Sequence, residues 1–408
     1  MGVMRDGSQI QLNGCFSGSN PALTTNNITN MENQNSVCYV ARIGEVIPIP
    51  GADNIELVLA GGWQAIVQKG QYAEGGLVVV ATTDAIIPQE LSDKMNVTNY
   101  LRKGGRVRTV KLKGVYSECL IIPLLYIPKG NINTYTEGKD MMDVMNIFKY
   151  EPPVKQLQLA SGRKVRYQDN PNFHVYYKFP NLKNVAGMFT EEDDVQITRK
   201  LHGTNARYGI VLKTKLSFWD KVKKFLYLAD EWVDYEYVVG SHNVEKGSDS
   251  QGFYDTNVWY EIADRYKIKE KLWQFVKENY SPSDLGSGLS VYGEIFGAGI
   301  QKNYDYGLTD IQIEIFDVTI NGKYSPTLYT EILASSGIEL PHVPILYEGK
   351  WSQEIQDKYT FNNFIEGTKV PHEGIVIKHV SGERNKVAKV INPDYLIYGE
   401  KHNVGDSH

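Results

Sequence analysis

Five side chains, in the order Lys200, Glu294, Phe316, Glu373 and Lys389, could carry out a group transfer if folding brought them together. Lys200 lies in Ile197-Thr198-Arg199-Lys200-Leu201-His202-Gly203-Thr204-Asn205-Ala206-Arg207 and offers an amine nucleophile. A Lys-x-x-Gly match alone is weak, because a chain this rich in both residues yields it about twice by chance. It recurs at Lys111-Leu112-Lys113-Gly114. A free lysine is almost wholly protonated at neutral pH, and reaching the amine costs about 4–5 kcal/mol. A site using Lys200 therefore needs nearby cations, and a second lysine with a divalent metal would serve.

The later stretches supply such groups. Val291-Tyr292-Gly293-Glu294-Ile295-Phe296-Gly297 places a carboxylate in an apolar strand between glycines, where a ligand or another backbone can approach closely. Ile313-Glu314-Ile315-Phe316-Asp317-Val318 offers an aromatic shelf at Phe316. His372-Glu373-Gly374-Ile375-Val376-Ile377-Lys378 sets a carboxylate and a cation at opposite ends of an apolar run. Asn385-Lys386-Val387-Ala388-Lys389-Val390-Ile391 puts two lysines into an otherwise buried strand, and a phosphate is a good partner for a buried lysine. Each stretch taken singly also fits a purely structural role.

The elements that must position these residues fall into two units. Residues 1–36, rich in Asn, Ser, Thr and Gly, read as a flexible extension. Residues 37–130 alternate short strands (Val37–Ile43, Ile55–Ala60, Gln64–Gln68, Leu77–Thr82) with glycine turns, which predicts a small β-barrel of the OB type. Residues 131–170 read as a connector with one short helix around Met141–Phe148. The unit from 171 to 408 mixes strands (Val195–Thr198, Ala206–Lys213, Tyr235–Gly240, Leu289–Phe296, Gln312–Ile320, Gly374–His379, Lys386–Ile391) with helices, an α+β pattern of mainly antiparallel sheets. Phe218, Val222, Phe225 and Leu226 form one amphipathic helical face, expected to pack on the core, as are Trp259, Ile262, Tyr266, Leu272, Phe275 and Val276.

Composition narrows the function classes. The net charge of -5 excludes a general nucleic-acid coat, so nucleic acid would need a local basic patch. Leu101–Lys113 is such a patch, with Arg102, Lys103, Arg106, Arg108, Lys111 and Lys113 and no acidic residue. It reads equally as a solvated edge strand or as a phosphate-backbone groove. Three cysteines without a C-x-x-C disfavour a zinc site or a disulfide framework and fit a reducing compartment. The absence of a membrane-length apolar run and of a signal peptide points to the cytoplasm, with no membrane partner. A monomer is expected.

Taken together and in this order, the motifs make the second unit resemble the covalent nucleotidyltransferase superfamily of ATP-dependent polynucleotide ligases and RNA capping enzymes. Within it, Lys200-Leu201-His202-Gly203-Thr204-Asn205 resembles the RNA ligases, and the first unit resembles the OB module ahead of the ligase domain in a nick-sealing branch. DNA ligases and capping enzymes carry their OB domain after the last motif. Only about twenty residues follow Lys389, which disfavours both, as the intact motif residues disfavour a non-catalytic nucleic-acid-binding protein.

The resemblance implies an OB barrel followed by an adenylyltransferase domain of antiparallel sheets flanked by helices. It implies ATP and Mg²⁺ (or Mn²⁺) as cofactors and, as partner, RNA in nicked duplexes with RNA on the 3′-OH side. It makes Lys200 the nucleophile, with His202, Glu373 and Lys389 also catalytic, and Glu373 at the metal. Arg199, Glu294, Phe316 and Lys378 fall to the nucleotide, and Asn205 and His242 to the nucleic acid. Two spacings depart from the pattern. Lys386 and Lys389, three apart, point to opposite faces of a regular strand, so one at most meets phosphate. Glu373 and Lys378 share that parity problem unless the chain bends.

Overall fold

The computed structural model describes residues 36–128, 135–150 and 170–404, apart from residues 186, 227, 229, 243, 248–256 and 325–339. The expected N-terminal extension lies outside these except for Ser36, as do residues 131–134 and 151–169 of the expected connector.

The first unit is built on a five-stranded antiparallel sheet of order β3-β2-β1-β4-β8, from β1 (Cys38–Pro48), β2 (Ile55–Ala60), β3 (Trp63–Gln68), β4 (Leu77–Thr82) and β8 (Cys119–Pro123). Two ribbons complete it: β5 (Ala85–Ile86) with β9 (Phe148–Lys149), and β6 (Val110–Leu112) with β7 (Val115–Ser117). Helices α1 (Gln89–Lys94) and α2 (Met142–Met145) lie between strands. The connector expectation needs correcting over its described part. Tyr135, Met141, Met145 and Ile147 are buried with Val40, Val79 and Ile122, so residues 135–150 close the barrel.

The second unit holds two antiparallel sheets. One, ordered β12-β11-β13-β14-β15, is formed by β12 (Tyr235–Gly240), β11 (Thr204–Leu212), β13 (Gly288–Gly297), β14 (Ile311–Ile320) and β15 (Lys323–Tyr324). The other, ordered β16-β10-β17-β18, is formed by β16 (Ile345–Lys350), β10 (Asp194–Lys200), β17 (Gly374–His379) and β18 (Val387–Ile391). Helices α3 (Phe218–Phe225), α4 (Val258–Arg265), α5 (Ile268–Asn279), α6 (Pro282–Leu285), α7 (Gln353–Thr360) and α8 (Pro393–His402) decorate them. Trp259, Ile262, Leu272, Phe275 and Val276 bury against Ile210, Val291 and Ile313, as their helical spacing predicts. Val195, Ile197, Ile375, Ile377, Ala388 and Val390 form a separate core under α7. The first residues of β16 carry no strong alternation, which is why that strand was not anticipated.

Helix α3 departs from expectation. Its apolar face is not core: Phe218, Trp219 and Phe225 are exposed, Phe225 at 82%. Periodicity reports amphipathicity but not whether another element reaches the apolar side. Among the described residues, no helix is long and apolar enough to cross a membrane.

The basic segment is largely spoken for by the second unit. Arg108 Nη1 donates to Glu400 Oε1 at 2.8 Å, Arg102 pairs with the same carboxylate at 3.5 Å, and Lys111 lies 3.5 Å from Asp394. Tyr116 Oη also donates to Asp394, at 2.7 Å, and its ring stacks on Phe361. Arg106 pairs with Asp84 inside the barrel and lies over the Tyr150 ring. Lys103 and Lys113 are the exposed members without an acidic partner among the described residues. The sequence showed no acid nearby because the acids are almost 300 residues away, on α8.

Candidate active site

Lys200 ends β10, where the chain leaves one sheet for the other. Gly203, three residues on, is required at that crossing. A Cβ there would lie 2.2 Å from the Ile295 carbonyl oxygen and 2.9 Å from Glu294 Cγ. The Lys-x-x-Gly spacing thus lets the loop after the lysine pass directly against β13, with Asn205 opposite Glu294 in the ladder.

Register then assembles the rest. Ile197, Ile375, Ile377, Ala388 and Val390 enter the core under α7, so by alternation Lys200, Lys378 and Lys389 point to the other face. Lys200 pairs with Gly374, whose φ of +155° and missing Cβ allow β18 to approach; a Cβ would meet the Val390 oxygen at 2.1 Å. The bend leaves Glu373 just ahead of β17, and Lys200 Nζ donates to Glu373 Oε1 at 2.7 Å. This bend resolves the parity of Glu373 and Lys378. The two lysines of the last motif separate, though not by strand parity, because the strand expected from Lys386 begins only at Val387. Lys389 is sequestered beside Lys200, and burial first, then the Lys200 charge, lowers its pKa. Lys386, in a single helical turn before β18, instead reaches Asp193 at 2.5 Å.

Lys378 is placed differently from its expected cluster. Its Nζ donates to the Phe316 carbonyl at 2.8 Å and to Asp317 at 3.1 Å, and Arg384 approaches the same carboxylate. Asp317, buried and bound also by Tyr176, is the hub of this end of the cleft, and its position next to Phe316 was the only signal for it in the sequence. A β-bulge between Tyr292 and Gly293 leaves Phe316 unopposed on β14. The bulge brings Phe316 to Tyr176, at 5.0 Å between ring centroids.

Burial pushes the Glu294 carboxyl up to about 8, against a lowering by Lys200. Glu314, unremarked in the sequence, is pushed up to about 7 by burial. His372 is pushed down to about 4 by burial and the Arg199 charge. His202 is buried between the rings of Tyr304 and Tyr395, and its backbone N–H donates to Tyr306 Oη at 2.6 Å. Arg207, fully buried, was not anticipated: it donates to the carbonyls of Phe173 and Ser241 and so fixes the loop carrying half-buried His242.

The donor set fits a divalent ion that keeps most of its waters. Glu373 Oε2 is buried with no hydrogen-bond partner, and among the described residues no three His, Cys, Asp or Glu side chains converge as a full cage. Mg²⁺ and Mn²⁺ bind in this way when phosphate supplies the remaining oxygens.

The raised Glu294 has a stability consequence. Above its ordinary range near 4.5 the unfolded chain has lost this proton, whereas the folded protein keeps it until about 8. Stability therefore falls as pH rises through that window. Glu294→Gln should melt with wild-type at pH 5 and a few degrees above it at pH 9, by thermal unfolding of the unliganded protein. Parallel melting curves at both pH values would refute the buried-acid account.

Residues 193–391 match the model of the RNA ligase family, and residues 37–124 match that of an OB-fold domain. No curated protein matches the chain. Among solved structures, a substituted Naegleria gruberi RNA ligase without ligand is 21% identical, with 90% of this chain and 98% of that one covered at a TM-score of 0.64. The same ligase with pyrophosphate is 22% identical, covering 90% and 99% at 0.63. A substituted form with ATP and manganese gives 22%, with 90% and 99% covered, at 0.64. At this identity the likeness carries the fold: a barrel followed by two antiparallel sheets with helices. The family matches and the placement of Lys200 against Glu373 agree: residues 193–391 form an RNA ligase domain, and an OB-fold domain at residues 37–124 stands ahead of it in a ligase enzyme.

Proposed function

We propose that the protein is an ATP-dependent RNA ligase that works through a lysyl-AMP and seals nicks whose 3′-OH side is RNA. The observation that carries this reading is the convergence of Lys200, Glu373, Glu294 and Lys389 at one crossing between sheets. Lys200 Nζ attacks the α-phosphorus of ATP, forming a P–N bond as pyrophosphate leaves. AMP then passes to a 5′-phosphate, which regenerates Lys200, and the 3′-OH attacks that phosphate as AMP leaves. Glu373 holds Nζ before attack and accepts its proton; with its second oxygen turned to metal-bound water, it would also hold Mg²⁺ or Mn²⁺. That ion would neutralise phosphate charge. Lys389 faces the α-phosphate, Phe316 stacks on adenine and Glu294 holds ribose. Arg199 and Lys378 flank the nucleotide, and His202 acts in the later steps. The likeness to a ligase solved with ATP and manganese supports the choice of nucleotide and ion. Asn205 and His242 would meet the nucleic acid, and the enzyme would act as a cytoplasmic monomer.

The test is incubation with labelled ATP and Mg²⁺, followed by nicked duplexes with RNA or DNA on each side. A covalent acid-labile label and sealing only with RNA at the 3′-OH side are expected. Preferential labelling by GTP, or the absence of any adduct, would sink the reading.

The basic segment makes a separable prediction. Lys103→Ala with Lys113→Ala should weaken nick sealing and flatten its salt dependence, since each phosphate contact contributes about 0.9 to the slope. ATP labelling should stay unchanged. Arg108→Ala should instead loosen the barrel from α8, with a loss of roughly 0–1 kcal/mol expected for a partly exposed pair.

A further inference from the structure

Glu294 and Glu314 are direct partners across the antiparallel ladder of β13 and β14. Opposed residues of such a pair hold their Cβ atoms about 4.5–5.5 Å apart, and like charges there destabilise a sheet. Both side chains leave the helix-covered core on the side away from Ile313, Ile315 and Ile295, which are fully buried. Glu314 Oε2 is buried without a hydrogen-bond partner. Arg199, whose charge acts on it, forms no ion pair with it within 4 Å among the described residues and leaves its own Nε unpartnered. An acid that faces another across the ladder and keeps a buried, unused acceptor costs stability, which a ligand with two adjacent donors would offset.

We infer that Glu314 is a specificity-determining residue: with Glu294 it grips the vicinal 2′,3′-diol of the nucleotide's ribose, one hydroxyl to each carboxyl group. This rests on the nucleotide-transfer reading and extends it to a residue on the neighbouring strand. Two carboxyls one strand apart match two hydroxyls on adjacent carbons, because each accepts one O–H. Phe316, on the same strand, is the surface against which the attached base would lie, so sugar and base are read from one β-strand. A shared cation is the less favourable occupant, since no third acidic, His or Cys side chain joins the pair among the described residues.

The experiment measures Lys200 labelling with ATP, 2′-deoxy-ATP and 3′-deoxy-ATP in wild-type, Glu314→Ala and Glu314→Gln proteins. Wild-type should prefer ATP over each analogue by about tenfold in kcat/KM, the effect of leaving one buried acceptor without its hydrogen bond. Glu314→Ala should collapse that preference for one analogue to nearly one and leave the other intact. Glu314→Gln, whose amide oxygen still accepts, should restore part of it. Unchanged ratios in Glu314→Ala, or a change only in metal requirement, would overturn the inference. Failure of wild-type to label with any nucleotide would instead strike the underlying ligase reading. Equal melting temperatures exclude a folding defect as the cause.

Discussion

Lys200→Ala should yield a folded protein that takes up no label from ATP, a loss of at least about four orders of magnitude. Without the amine no P–N bond can form: Lys200 is held by Glu373 at 2.7 Å, whereas Lys378, the lysine held by a carboxylate at the other end of the cleft, is committed to Asp317 and the Phe316 carbonyl. The decoy at Lys111 cannot substitute, because its Nζ is occupied by Tyr116 and Asp394 at the barrel interface. Lys200→Arg should fail equally, since guanidinium stays protonated in proteins and is no nucleophile. The variant should still seal RNA whose 5′ end is already adenylylated, because that substrate needs no lysyl intermediate. Mass spectrometry of the labelled wild-type protein locates the adduct. A label on Lys200→Ala would refute the assignment outright.

Lys389→Ala should slow adenylylation by about 10²–10³-fold, the usual effect of removing one preorganised charge from a group-transfer site. Lys386→Ala should change the rate by no more than a few fold. The contrast follows from where the fold sends each side chain. Lys389 lies on β18, one strand beyond the neighbour of Lys200's own strand and on the same face, and burial has already lowered the cost of its losing its proton. Lys386 is committed to Asp193, so its loss would appear as reduced stability, with Asp193 left without that partner. Single-turnover labelling at saturating ATP separates the two, because it follows phosphoryl transfer without product release. Equal rate losses in both variants would mean that the last motif acts as a pair.

The chain's own order of residues determined a good deal. Alternation over Leu289–Phe296 and Gln312–Ile320 was enough to place those strands to within a residue, because both have one face buried in the helix-covered core. Parity along the strand put Lys389 on the face opposite Ala388 and Val390, while Lys386 parts from it because the strand begins only at Val387. The position of Lys200 at the crossing between sheets was legible because a local constraint, Gly203 packed against β13, is written three residues from it.

Tertiary structure alone decided what depends on contacts far apart in the chain. The bend at Gly374 that brings Glu373 to Lys200 is set by β18 approaching from seventeen residues downstream. The fate of the basic segment was set by Asp394 and Glu400, whose charges reach it only when α8 docks on the barrel. Helix α3 shows the converse: its periodicity is strong, yet nothing in a local pattern states whether a neighbour will cover the apolar face. Glu314 became visible only through register, because a lone Glu in an apolar strand reads as solvent-facing until its partner across the ladder proves to be another buried acid.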